Sequence, residues 1–132
     1  MAISFRHDHD FDLEPLVQLF AAADWGDRGG NLVALAKSIA GSRWVVTAWD
    51  AEKMVGFARA ISDGVTTGYI TDVVVAPSHR KRGVATAMMH AMMDGRDSIQ
   101  FVLRAEPEMH AFYRRLGFED PDRLMRRPRR GQ

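Results

Sequence analysis

The 132-residue chain contains no cysteine. That excludes disulfides, a thiolate nucleophile and every cysteine-bearing zinc site, so any metal would fall to His, Asp and Glu. Long apolar runs are also missing. Nothing approaches the ~20 residues a membrane-spanning helix needs, and the opening MAISFRHDHD carries no hydrophobic stretch of the signal-peptide kind. A cytoplasmic protein without a membrane partner is the expectation. Charge of one sign is scarce as well: 18 Lys and Arg against 17 Asp and Glu leave +1. The balance is uneven along the chain, with 6 basic and 9 acidic side chains in residues 1–66 and 12 and 8 in residues 67–132. An anionic ligand is therefore expected on the second half. With 46% hydrophobic and 27% charged residues, the composition suits a globular domain rather than a disordered, collagenous or coiled-coil chain.

Periodicity divides the chain into alternating elements. Ile3 to Phe5 reads as a short strand. Asp12 then stands where it can cap a helix with Leu13, Leu16, Val17 and Phe20 on one face, and Pro15 sits harmlessly in its first turn. After a loop from Trp25 to Gly30, Asn31 can cap a second helix ended by Gly41. Arg43–Trp49 and Met54–Ser62 form an expected antiparallel hairpin, and Tyr69–Val75 is a strand rich in β-branched residues closed by Pro77. A helix follows from Gly83 to about Met93, then a strand from Ile99 to Leu103 and a helix from about Pro107 to Leu116. Leu124–Arg127 reads as a last short strand. No repeat or long linker divides the chain, so one mixed α/β domain over residues 1–132 is expected, with 128–132 as a flexible tail.

The chemistry concentrates in Tyr69 to Met93, YITDVVVAPSHRKRGVATAMMHAMM. A strand leads through a basic, glycine-bearing loop into a helix N-terminus, where backbone N–H groups lack intrahelical partners and the helix dipole is positive. Gly83 lets the main chain approach an anion closely, Ala85 adds only a methyl, and Arg80, Lys81 and Arg82 bring positive charge. A solvated basic loop capping an amphipathic helix is the plainer alternative. The loop is not a Walker A sequence and lacks G-x-G-x-x-G, which speaks against an ATPase or a dinucleotide oxidoreductase.

At these residues the sequence resembles the GNAT superfamily of acyl-CoA-dependent N-acetyltransferases. Arg80-Lys81-Arg82-Gly83-Val84-Ala85 matches the family's (Arg/Gln)-x-x-Gly-x-(Gly/Ala), preceded by Val75-Ala76-Pro77 in the place of its Val-x-Pro. Further on, Phe112-Tyr113-Arg114-Arg115-Leu116-Gly117-Phe118 looks like its Tyr-x-x-x-Gly-Phe. The resemblance spans essentially residues 1–127. It implies a central mixed sheet of about six to seven strands with four helices. It also implies that acetyl-CoA enters between two splayed parallel strands, here Tyr69–Val75 and Ile99–Leu103. Backbone amides at Arg82, Gly83, Val84 and Ala85, helped by the Thr86 hydroxyl and the charge of Arg80 and Arg82, would hold the pyrophosphate. Backbone groups of Val73 and Val75 would hold the pantetheine arm.

Tyr113 matches the family's general acid, a phenol able to protonate the departing thiolate; a core tyrosine is its alternative role. Where many relatives place a basic glutamate, this chain has Thr71. The neighbouring Asp72 can act as base through a water, or it can serve structure, since adjacent strand residues point to opposite faces. His79 and His110 are lesser candidates for the base, more simply read as solvated loop or helix-face residues. A base matters because an alkylamine of pKa ~10.4 is neutral in only about one molecule in 10³ at pH 7.

The run His7-Asp8-His9-Asp10-Phe11-Asp12 has the composition of a metal site, but a solvated helix entry explains it and no metal is expected. Asp24, Trp25 and Asp27 lie where the family's first inter-helix loop borders the acceptor, and Phe11 and Trp44 are candidates for the same pocket or for the core. The C-terminal arginines Arg123, Arg126, Arg127, Arg129 and Arg130 have no interleaved aromatics for base stacking, so a solvated tail is preferred over nucleic-acid binding; some of them can instead meet CoA phosphates. The expected activity is acetyl transfer from acetyl-CoA directly to a primary amine, of a small molecule first and of a protein second. A CoA-binding module without efficient catalysis is the rival. A homodimer is compatible with the resemblance.

Overall fold

The computed structural model describes residues 2–130. Its strands are β1 (Ser4–Arg6), β2 (Trp44–Asp50), β3 (Lys53–Ser62), β4 (Thr67–Val75) and β5 (Gln100–Leu103). Its helices are α1 (Leu13–Ala22), α2 (Leu32–Ala40), α3 (Val84–Met93) and α4 (His110–Arg115). Single 3-10 turns occupy Gly26–Gly29, Pro77–His79 and Pro107–Met109. The five strands lie in the order β1-β2-β3-β4-β5, antiparallel throughout except for the parallel β4–β5 pair. That pair requires a crossover, which α3 supplies.

This is the mixed α/β architecture with four helices that the sequence implies, on a sheet of five strands instead of six or seven. The difference lies at the C-terminus. Residues 124–127 form no strand, and Leu124 and Met125 are exposed. Residues 128–130 of the expected tail also lack regular structure, and 131–132 lie outside the described residues. The short run Leu124–Arg127 did not suffice for a strand, because a strand exists only where a neighbour completes its ladder.

Helix entry shows a similar dependence on context. Asn31 caps α2 as its sequence position suggests, accepting from the Ala34 amide at 3.0 Å. Asp12 occupies the N-cap position of α1 in extended conformation, yet its side chain makes no cap bond.

The core is apolar on both faces of the sheet. On one, Phe20 of α1 packs edge-on against Phe57 of β3 with ring centres 6.0 Å apart, and Phe11 meets the same ring at 6.4 Å. On the other, α3 presses onto β3 so closely that a Cβ on Gly56 would stand 2.9 Å from the Met88 sulfur. Only glycine allows that approach. Phe11 is thus half-buried in the core, and Trp44 is committed as well, with Phe101 at 5.9 Å and the Arg96 guanidinium 4.2 Å above its ring.

Candidate active site

The strand β4 changes partners along its length. Its first four residues pair with β5, from Thr67 opposite Gln100 to Ile70 opposite Leu103. There β5 ends, so Thr71–Val75 keep β3 on one side and have no strand on the other. The register with β3 also shifts between Ile70 and Asp72, which face Ala60 and Arg59, leaving Thr71 as an extra residue. Such a bulge bends its strand and interrupts the ladder. The two parallel strands therefore part at this point.

Backbone polarity along the open stretch follows from one hydrogen bond. The Ala76 amide donates to the Val55 carbonyl of β3 at 2.9 Å. Successive amides of an antiparallel strand alternate between its two edges, so Val74 also donates toward β3, whereas the Val73 and Val75 amides face the open edge. The Val75 carbonyl there accepts from Arg80 Nε at 3.2 Å. Arg80 thereby folds the basic loop back against the end of β4.

Beyond that loop, Gly83 takes up the left-handed conformation, with φ of +79°, as the N-cap of α3. Lys81 is also left-handed at φ +62°, a conformation that costs a residue bearing a Cβ about 1–2 kcal/mol. The first intrahelical bond is Ala87 N–H to the Gly83 carbonyl at 3.0 Å. The amides of Val84, Ala85 and Thr86 precede it, and no side chain caps this helix. An uncapped helix N-terminus beside an open strand edge can hold an anion and an extended chain attached to it. Such a donor set fits a diphosphate joined to an amide-bearing arm.

His79 differs from its sequence reading. It is not a solvated loop residue but 6% exposed, held by Ser78 Oγ at 2.7 Å on Nδ1 and by Asp50 Oδ2 at 2.9 Å on Nε2. It ties the loop before α3 to the end of β2. His110, half-buried at the start of α4, contacts the Ala105 carbonyl through Nε2 at 3.0 Å and Asp120 at 3.5 Å.

Tyr113 lies on α4, half-buried between Phe112 at 5.0 Å and Phe118 at 5.7 Å. It belongs with Val73 and Val75 to the partly buried shell packed on the core. Burial raises the pKa of its phenol, because loss of hydration disfavours the phenolate. At neutral pH it carries its proton.

Asp72 is 3% exposed, and both its oxygens are taken: Arg59 Nε donates to Oδ2 at 2.6 Å, and Arg28 Nη1 pairs with Oδ1. Neither arginine stands out from motif or helical spacing. Arg59 did leave a signal, as the one charge within the otherwise apolar run Met54–Ile61, since a charge placed there needs a buried partner. Arg28 gave none, because its contact spans 44 positions.

The neighbouring Gly26–Gly29 turn joins Asp24, Trp25, Asp27 and Arg28 around a cavity of about 350 Å³. Trp25 stacks on Phe20 at 5.9 Å and carries the Arg28 guanidinium at 5.1 Å. A second cavity, of about 520 Å³, opens where β4 and β5 part and is lined by Tyr69, Val102, Leu103, Arg104 and residues 124–129.

The run of histidines and aspartates before α1 is dispersed: His9 Nε2 contacts the Ser42 carbonyl at 2.7 Å, and Asp8 pairs with Arg6 at 3.3 Å. Among the described residues no cluster of three His, Cys, Asp or Glu is arranged to hold a metal ion, and no helix is long and apolar enough to cross a membrane.

Comparison with known proteins places this geometry. Residues 40–120 match the model of the acetyltransferase (GNAT) domain. Among curated proteins the chain is similar to GCN5-related N-acetyltransferase 1 of Arabidopsis thaliana, 32% identical over 121 residues, covering 89% of this chain and 61% of that protein. It is also similar to serotonin N-acetyltransferase 2 of rice, 41% identical over 78 residues, covering 56% of this chain and 39% of that one. The chain thus spans less than two thirds of the length of these relatives. Among solved structures, a protein of Xanthomonas campestris described as a GNAT-family acetyltransferase superposes with a TM-score of 0.82 at 30% identity, covering 99% of this chain and 96% of that one. A GNAT-family protein of Streptococcus pneumoniae shares the fold at a TM-score of 0.84 and 24% identity, over 98% and 99% of the two chains. The fold is therefore a shared architecture, and the chain belongs to the GNAT acetyltransferase family.

Proposed function

We propose that the protein is an N-acetyltransferase that moves the acetyl group of acetyl-CoA directly to a primary amine of a small molecule. One observation carries this reading: β4 loses its β5 partner after Ile70, directly before the uncapped α3 N-terminus at Gly83. Acetyl-CoA supplies the activated acyl group as a thioester.

The chain's own part follows from the site. Amides from Arg82 to Ala85, with the Thr86 hydroxyl, hold the diphosphate at the positive end of α3. The Val73 and Val75 amides bind the pantetheine arm as a neighbouring strand would, and the Val73 N–H lies where it stabilises the developing oxyanion. As the amine nitrogen bonds to the acetyl carbon and the carbon–sulfur bond breaks, Tyr113 gives its proton to the sulfur, which leaves with the electron pair. The amine loses one proton to solvent before it attacks and a second as the amide forms, and solvent returns a proton to the Tyr113 phenolate. Direct attack is favoured because a chain without cysteine offers no thiol to carry the acyl group. The acidic, Trp25-walled cavity beside the site suits a protonated amine approaching from solvent.

Calorimetric titration with acetyl-CoA, followed by thiol release across an amine panel at pH 7 to 9, tests the reading. The rice relative's name makes an arylalkylamine the first member of that panel, and a histone peptide is its macromolecular counterpart, after the soybean relative called a histone acetyltransferase. Turnover with a small amine is expected. Binding without turnover on any amine would leave a CoA-binding module, and absence of binding would remove both readings.

A further inference from the structure

Resting on that reading, we propose that Asp72 is a positioning residue: through Arg28 it straps the Gly26–Gly29 turn over the open stretch of β4 and so places the acceptor amine. The conclusion comes from the occupancy and location of the carboxylate. Both oxygens of Asp72 are held by cations, Arg59 on Oδ2 at 2.6 Å and Arg28 on Oδ1, so neither faces a substrate proton. A carboxylate in that state is a poor candidate for the base, even through a water.

The two arginines differ in what they connect. Arg59, 13% exposed on β3, joins neighbouring strands and reaches Ser42 Oγ at 3.2 Å, which makes it part of the scaffold. Arg28, 50% exposed, comes from the loop that follows α1, 44 positions away. It joins a solvent-facing turn to the bulged segment of β4 that has no β5 partner. The same guanidinium lies 5.1 Å above Trp25, whose ring stacks on Phe20 of the core. Asp72, Arg28, Trp25 and Phe20 thus form a continuous connection from strand to core that passes through the wall of the Asp24–Arg28 cavity.

The turn's remaining ties run to α1: the Trp25 N–H donates to the Phe20 carbonyl at 2.7 Å, and Gly29 lies so close to Val17 that an added Cβ would stand 3.0 Å from it. The turn's other backbone bonds, Arg28 N–H to the Trp25 carbonyl at 2.9 Å and Gly30 N–H to Asp27 at 3.3 Å, are internal. The segment is thus anchored to α1 on one side, and the Arg28–Asp72 pair ties it to β4 on the other. A wall tied to β4 through that ion pair keeps its distance from the open stretch, and effective molarity depends on such placement.

Arg28→Ala is the primary test, since it leaves Asp72 paired with Arg59 and the scaffold whole; Arg28→Lys restores the charge, and Asp72→Asn weakens the strap from the strand side. In the full-length protein, amide hydrogen exchange of residues 24–30 is expected to accelerate about tenfold or more in Arg28→Ala, with β3 and β4 unchanged and Arg28→Lys close to the parent. In turnover, KM for the amine is expected to rise about tenfold with kcat within about threefold, while acetyl-CoA affinity stays within about twofold. Unchanged exchange at 24–30 would overturn the strap whatever the turnover shows. Faster exchange with an unchanged amine KM would overturn its role in placing the acceptor. A loss of kcat in Asp72→Asn that Arg28→Ala does not share would return Asp72 to the role of base. If no amine is turned over by the parent protein, the proposed activity fails, and the exchange result still decides whether the strap exists.

Discussion

The two halves of β4 have opposite fates. Gly68–Ile70 is bonded to strands on both sides, and Asp72–Val75 on one. Both halves continue the same alternating burial. Only the neighbour differs: β5 is four residues long and stops at Leu103. The open edge is thus made by a partner strand that ends early and leaves these ladder positions unpaired by any strand.

That contrast can be broken most severely with proline. Val73→Pro and Val74→Pro impose the same φ on adjacent residues but remove amides facing opposite edges. Val74→Pro deletes a bond to β3 and is expected to cost about 3 kcal/mol or more of stability in denaturant unfolding. Val73→Pro is expected to keep most of that stability and instead weaken acetyl-CoA binding about tenfold by calorimetry, the worth of one hydrogen bond. Equal destabilisation by both would mean that the open edge is not open.

Next in size, Tyr113→Phe is expected to lower kcat about 10²-fold, with acetyl-CoA affinity nearly unchanged. Parent-like turnover would remove the phenol as acid. Gly83→Val asks for a left-handed β-branched residue where no neighbouring atom lies within 4 Å of the added Cβ, so the strain is in the backbone rather than in packing. Loss of about tenfold in acetyl-CoA affinity, alongside about 1–3 kcal/mol of lost stability from the strained turn, is the expected signature; unaltered affinity would detach the turn from the diphosphate.

The smallest effect is a titration. Because burial raises the Tyr113 pKa, its neutral form is favoured in the folded state. The associated stability is fully present below the ordinary tyrosine pKa of 10.0 and is lost as pH rises through the folded value. Thermal unfolding followed across alkaline pH should show that decline in the parent and less of it in Tyr113→Phe.

Local patterns made much of this fold legible. Asn31 stands at its cap, and α3 fills the helix expected from Gly83 to about Met93 with Gly83 at its N-terminus. These depend on residues within a few positions of one another. The strand expected at 124–127 failed for the opposite reason, since it needed a distant partner. His79, buried against Asp50, and Asp72, claimed by Arg28 and Arg59, were equally out of reach of local reading.

From the chain alone came the absence of thiol chemistry, the order of helices and strands, and the stretch from Tyr69 to Met93 as the place where an anionic carrier would sit. Covalent sequence dictates these because composition and short-range spacing determine them. Tertiary structure decided where β5 would stop, which edge of β4 would stay open, and that Asp72 would meet two arginines. Those outcomes depend on contacts between segments tens of residues apart, which form only once burial of the core has brought the segments together.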